Sequence, residues 1–198
     1  MLDAAESEFA RQGFAAATMD AIAAAARVSK SHLYYHFDGK DALLAALFAE
    51  KERELLAEKE DLFAGEEVLD DALVQKALGE GVARLVTAHS QFLRIALLEC
   101  FRPNGRGDLA FAVARRMCDD TLARLAAFGL RVDREEDGSA FIWFVLLPVL
   151  SELLLGEDRA RVLGLDPHAE HARFERQLEA SYRGLIGRMR ARGNEGGR

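Results

Sequence analysis

The chain has 198 residues, 50% of them hydrophobic and 30% charged, the balance of a soluble globular protein with apolar material for one large or two small cores. Its formal charge of −7 speaks against indiscriminate coating of nucleic acid by the whole molecule, but leaves room for a locally basic surface where the signs are segregated. With only 3 prolines, apolar positions at helical spacing and no alternating β-branched run, the sequence predicts an all-α fold of helices joined by short loops.

Taken in chain order, the first helix is predicted from Leu2 to Gln12, with Leu2, Ala5 and Phe9 on one face and Gly13 as its stop. Thr18 is a good N-cap for a short second helix with Asp20 in its first turn and Ile22, Ala23 and Ala26 for packing. Arg27 and Val28 make a tight connection. Ser29 then caps a third helix on which Leu33 and Phe37 form an apolar i, i+4 pair. Lys30, Ser31, His32, Tyr35 and His36 are left to point partly outward, and between Arg27 and Phe37 there is no carboxylate. Gly39 breaks that helix, and a fourth begins at Lys40 and carries Leu43, Leu44, Leu47 and Phe48. Two short helices joined by a few residues, the second offering small polar and basic side chains, make the helix-turn-helix that fits a DNA major groove.

Further helices are predicted with breaks at Gly65, near Ser90, at "RPNGRG", near Asp133 and at "GLDP", where Asp166 and Pro167 suit the N-cap and first position of the last helix. Gly79, Gly81 and Pro148 loosen or bend predicted helices. The stretch 140–155, "AFIWFVLLPVLSELLL", holds Pro148, Ser151 and Glu152 and falls short of the ~20 residues of a membrane span, so it is read as a buried helix with no membrane role. "MLDAAESEF" lacks the basic and apolar regions of a signal peptide. Cys100 and Cys118, without CxxC spacing, read as reduced core thiols of a cytoplasmic protein. Within "RGNEGGR", residues 193–198 read as a disordered tail.

The ordered pieces F-x-x-x-G-F, T-x-x-x-I-A-x-x-A, V-S-x-x-x-L-Y-x-H-F and G-K-x-x-L-L stand in "FARQGFAAATMDAIAAAARVSKSHLYYHFDGKDALLAAL". In them residues 2–48 resemble the N-terminal domain of the tetracycline-repressor (TetR) family of transcription regulators. Arg27 departs from the glycine usual at that turn and must adopt a left-handed or bridge conformation, or tilt the turn. The resemblance implies a DNA-binding domain over 1–46 and a helical ligand-binding and dimerisation domain over 47–192. It also implies a palindromic double-stranded operator, a small-molecule inducer and a homodimer, with no cofactor.

On the DNA side, Lys30, Ser31 and His32 are the base-reading candidates, and Ser29 caps their helix. Thr18, Tyr34, Tyr35, His36 and Lys40 suit phosphates; the Tyr34 ring has packing against the first helix as an equal alternative. His32 and His36 also have the spacing of a metal pair, but no third ligand is evident and no metal is expected. The candidate inducer pocket is lined by Leu85, Phe92, Ala96, Cys100, Phe111, Met117 and Cys118, with Trp143 and Phe144 at its back and His89 and Glu99 as polar groups; plain core is the other reading of these residues. For the dimer, Phe174, Leu178, Tyr182, Leu185 and Met189 form a stripe on the last helix, and Phe141, Leu146, Val149 and Leu153 lie on the helix before it.

No Walker loop, GxGxxG, nucleophile elbow or paired carboxylate appears, and "HAEH" at 168–171 lacks metalloprotease spacing, so no enzyme is expected. The function that follows is a ligand-responsive DNA-binding repressor. The alternative is a helical binding protein or enzyme that keeps the helix-turn-helix as scaffold.

Overall fold

The computed structural model describes residues 1–77 and 81–195; Gly79 and positions 196–198 of the expected tail lie outside the described residues. The described residues form helices without strands: α1 (Leu2–Ala16), α2 (Met19–Ala25), α3 (Lys30–His36), α4 (Gly39–Leu62), α5 (Asp71–Lys76), α6 (Val82–Ala88), α7 (Ser90–Phe101), α8 (Gly107–Ala127), α9 (Arg134–Phe141), α10 (Leu147–Leu163) and α11 (Pro167–Glu195). A π-helical turn, Ile142–Leu146, joins α9 to α10. Since α11 continues to Glu195, the helix takes in the first three positions of the segment read as a tail. The chain divides into two compact units, Met1–Ala57 with His89–Val113, and Glu58–Ala88 with Ala114–Arg198.

In the first unit the apolar spacing of the sequence becomes burial. Ala5 and Phe9 of α1, Ile22 of α2, Leu33 of α3 and Leu43, Leu44 and Leu47 of α4 are all buried, and Phe48 meets Phe92 of α7 edge to face at 4.9 Å. Gly13 takes φ 79 inside α1, so the helix breaks where expected and Phe14 turns inward against Phe9 at 5.3 Å. The flank is polar but paired: Lys51 lies 3.0 Å from both Glu6 and Glu54.

The second unit is built around α11. Leu178, Tyr182, Leu185 and Met189 pack with Leu122, Leu125, Val145 and Val149, and burial alone pushes the Tyr182 phenol up to about 12. Phe141 and Phe174 are partly buried against the same cluster. Of the residues expected at the dimer seam, Leu178, Tyr182, Leu185 and Met189 of α11 and Val149 of α10 are thus buried within one chain. An amphipathic pattern reports that a face is covered, and here α10, the π-helical turn and α9 of the same chain lie against α11. Leu146 and Leu153 are half-buried. The reading of 140–155 as a buried helix is corrected, because Trp143, Phe144 and Leu155 are 64%, 59% and 57% exposed. No single helix among the described residues is long and apolar enough to cross a membrane.

Basic side chains fix α11 in place: Arg190 donates to the Leu69 carbonyl at 2.7 Å, Arg183 lies 3.1 Å from Asp71, and Arg192 pairs with the fully buried Asp137 at the start of α9. Gly81 answers a close approach, since a Cβ there would stand 2.5 Å from Cδ2 of Leu62. Pro148 sits in the first turn of α10, where a missing N–H costs least.

One polar tie crosses this core. Lys59 of α4 donates to the Met117 carbonyl at 2.9 Å and to Thr121 Oγ1, and lies 2.8 Å from Asp120, which also accepts from Arg124 at 2.9 Å. Burial pushes the Lys59 ammonium below its usual value. Burial also pushes Asp120 up, but hydrogen bonds from Lys59 and Arg124 outweigh it and hold that carboxyl below its usual range. A depressed carboxyl contributes stability above its unfolded value of about 3.9, and loses it as pH falls through the lower folded value. Asp120→Asn should therefore be less stable than the parent in urea unfolding at neutral pH, with the gap closing below about pH 3. A gap that stays constant across that range would count against the tie.

Candidate nucleic-acid interface

The first unit shapes its surface from short, capped pieces. Thr18 Oγ1 accepts from the Ala21 amide at 3.2 Å to begin α2, and Ser29 Oγ accepts from the His32 amide at 3.1 Å to begin α3. Between them Arg27 takes φ 56, with Arg27 N–H donating to the Ala24 carbonyl and Val28 N–H to the Ala23 carbonyl at 3.0 Å. That is a left-handed helix end, usually glycine, occupied by an arginine. Of the alternatives open for this position, the left-handed conformation is the one found.

Leu33 is fully buried and fastens α3 to the unit, while Lys30, Ser31, His32, Tyr34, Tyr35 and His36 all face solvent. Tyr35 is 83% and Tyr34 48% exposed, so Tyr34 is not enclosed against α1. The His32 and His36 rings meet edge to face at 4.9 Å, and Tyr35 meets His36 at 5.2 Å, which turns the aromatic and imidazole groups into one connected ridge. Among the described residues no group of three or more His, Cys, Asp or Glu side chains could hold a metal.

Two features of this surface escape the sequence. Asp20 of α2 lies 2.7 Å from the Lys30 ammonium, which brings a carboxylate beside a helix that has none of its own and raises the Lys30 pKa through the hydrogen bond. Both partners are more than half exposed, so water screens the pair and Lys30 can exchange Asp20 for another acceptor. The second is Lys40. Its ammonium donates to the carbonyls of Phe14, Ala15 and Ala17 at 2.6, 3.0 and 2.8 Å, using all three protons on the end of α1, and it lies over the Phe14 ring at 4.6 Å. Lys40, expected on a phosphate, is thus a tie between α4 and α1.

Residues 1–47 match the family model described as bacterial regulatory proteins, tetR family. Those residues span α1 to α3 and the start of α4, so the match falls on the helix-turn-helix segment. The fold of the whole chain agrees: it resembles a TetR transcriptional regulator from Legionella pneumophila (18% identity, 91% of this chain and 94% of that one, TM-score 0.67). It also resembles a TetR-like transcriptional regulator from Rhodococcus sp. RHA1 (22% identity, 94% and 93%, TM-score 0.61) and the flavonoid-responsive regulator FrrA (26% identity, 94% and 93%, TM-score 0.57). No curated protein matches the chain. The segment similar to the tetR family thus includes α2 and α3, and the fold of the chain is similar to that of transcriptional regulators.

The residues expected around an inducer divide between the units. In the first, Phe92 is core beneath Phe48, His89 is buried 3.9 Å from Glu54, Ala96 and Cys100 are half-buried, and Phe111 is 66% exposed. Glu99, expected to orient a ligand, instead accepts from Arg102 at 2.7 Å and from the Arg106 amide at 3.1 Å. In the second, Cys118 is buried with its thiol 3.8 Å from the Gly138 carbonyl, Leu85 and Met117 are half-buried, and Trp143 and Phe144 face solvent. Burial raises the pKa of both thiols, which suits inert cysteines.

The left-handed Arg27 gives a direct check on the turn. Arg27→Gly should raise stability by about 1 kcal/mol, because glycine adopts this conformation without steric cost. Thermal or urea unfolding reads the change, and a loss of stability would mean that the arginine side chain holds the turn by contacts.

Proposed function

We propose that the protein is a sequence-specific DNA-binding repressor, with α3 as the helix that enters the major groove of a two-fold operator. The observation that carries this reading is the exposed face of α3, where Lys30, Ser31 and His32 offer donors and acceptors and only Leu33 is spent on packing. Lys30, Ser31 and His32 read base edges. Thr18, Tyr34, Tyr35 and His36 hold phosphates and fix the register, with Ser29 holding the helix start. In this reading residues 1–46 carry DNA recognition, and residues 47–192 carry dimerisation and the response to a small apolar or amphipathic inducer, in a cytoplasmic protein that is not an enzyme.

The inducer part draws on a structural neighbour that is a flavonoid-responsive regulator, and on the family's habit of coupling ligand to DNA. A ligand releases DNA only by binding the DNA-free arrangement more tightly, and DNA must then weaken the ligand by the same factor. The dimer of this reading uses surface still open on one chain, where Trp143, Phe144, Leu155, Val162 and Leu163 are exposed.

Random-site selection with the purified chain tests the reading. It should recover two-fold sites with half-sites about 10 base pairs apart, and His32→Ala should weaken the selected duplex by about 1–3 kcal/mol while relaxing preference at one position per half-site. Recovery of no preferred sequence would remove the DNA reading. Recovery of single, unpaired half-sites would remove the dimer.

A further inference from the structure

We propose that Glu99, far outside the segment matched by the family model, is a positioning residue for the DNA-reading helix, acting through Arg102 and Arg106 on the ends of α1 and α4. This rests on α3 being the reading helix.

The corner between α7 and α8 has the sequence Arg102-Pro103-Asn104-Gly105-Arg106, and its shape is set by close approach. A Cβ on Gly105 would stand 2.2 Å from the Glu99 carbonyl oxygen, so no side chain fits there, and Asn104 takes φ 55. Within this corner Glu99 is 3% exposed. Its Oε2 accepts from Arg102 Nε at 3.2 Å, Arg102 Nη2 at 2.7 Å and the Arg106 backbone N–H at 3.1 Å. A carboxylate this buried is stable only because the guanidinium and the amide surround it, and in return it fixes where both arginines start.

Both arginines then reach the DNA-binding segment. The Arg102 guanidinium lies 5.0 Å from the centre of the Phe14 ring, the same ring that Lys40 approaches at 4.6 Å. Arg106 Nη1 donates to Asp41 at 2.8 Å, one residue from Lys40 in the first turn of α4. Lys40 in turn grips the Phe14, Ala15 and Ala17 carbonyls, and the next residue is Thr18, the N-cap of α2. Glu99, Arg102 and Arg106 thereby hold the Phe14–Ala17 turn and the start of α4, from which α2 and α3 hang. Nothing in this chain of contacts needs the arginines to touch DNA.

The test compares Glu99→Gln with the parent by two readouts. The first is amide exchange in the DNA-free protein at Ala17, whose N–H donates to the Gly13 carbonyl, and at Ala21, whose N–H donates to Thr18 Oγ1. Exchange at these two sites should rise roughly tenfold, the size expected for a lost charged hydrogen bond, while Leu47 and Leu125 exchange as before. The second is binding to the duplex recovered by random-site selection: affinity should fall roughly tenfold with the salt slope unchanged. Arg102→Met keeps the apolar stem and leaves Glu99 capped by the Arg106 amide, and it carries the same comparison should Glu99→Gln fail to fold. Unchanged exchange at Ala17 and Ala21 overturns the proposal, as does a rise shared by Leu47 and Leu125, which is general loosening. A salt slope reduced by about one for Arg102→Met overturns it differently, by putting that arginine on a phosphate. If selection recovers no sequence the DNA reading fails, and the exchange readout still decides the positioning claim.

Discussion

A helix of seven residues cannot hold itself in water, because nucleation costs more than so few hydrogen bonds return. α3 is such a helix, Lys30 to His36, and almost every side chain on it faces solvent. Its existence therefore depends on one buried side chain, Leu33, one cap, Ser29, and the rigidity of whatever Leu33 packs on. From this constraint follows the expense of polar groups around it. Lys40 gives up all its protons to the end of α1, and Arg102 and Arg106 are directed by a buried carboxylate onto the same turn and the next helix. The proposed reading surface stays free because the side chains that brace it lie on other helices.

The same division explains how a chain of charge −7 could suit the anionic partner proposed for it. Many of its arginines are structural: Arg183, Arg190 and Arg192 hold α11 to α5, the Leu69 carbonyl and α9. Around α3 the charge that counts is local, and even there Lys30 is shared with Asp20. In the proposed reading, an arriving base edge or phosphate competes with a screened, exposed carboxylate, so acidic neighbours temper nonspecific attraction without closing that face.

The parts of this structure set by neighbours in sequence were legible in advance. The caps at Thr18, Ser29 and Asp166, the stop at Gly13, the burial of Leu33 and the left-handed option for Arg27 all follow from chemistry within a few residues, and all appear. What escaped lies between distant residues. Asp20 is ten positions from Lys30, Lys40 more than twenty from the carbonyls it binds, and Glu99 works only because Gly105 lets the corner fold back on it. The α11 stripe shows the limit most plainly. Its period announced a covered face and could not say whether a second chain or the first one covers it, and Leu185 and Met189 are covered by their own unit.

The central claim is that the exposed face of α3, already built in the free protein, is what meets DNA. The most direct measurement is an amide-resolved NMR titration with the duplex recovered by selection. The account predicts that the largest shifts fall at Thr18 to Asp20 and at Ser29 to His36, with the buried α4 amides of Leu43, Leu44 and Leu47 little changed. Shifts concentrated on another surface, with α3 unmoved at saturation, would contradict it.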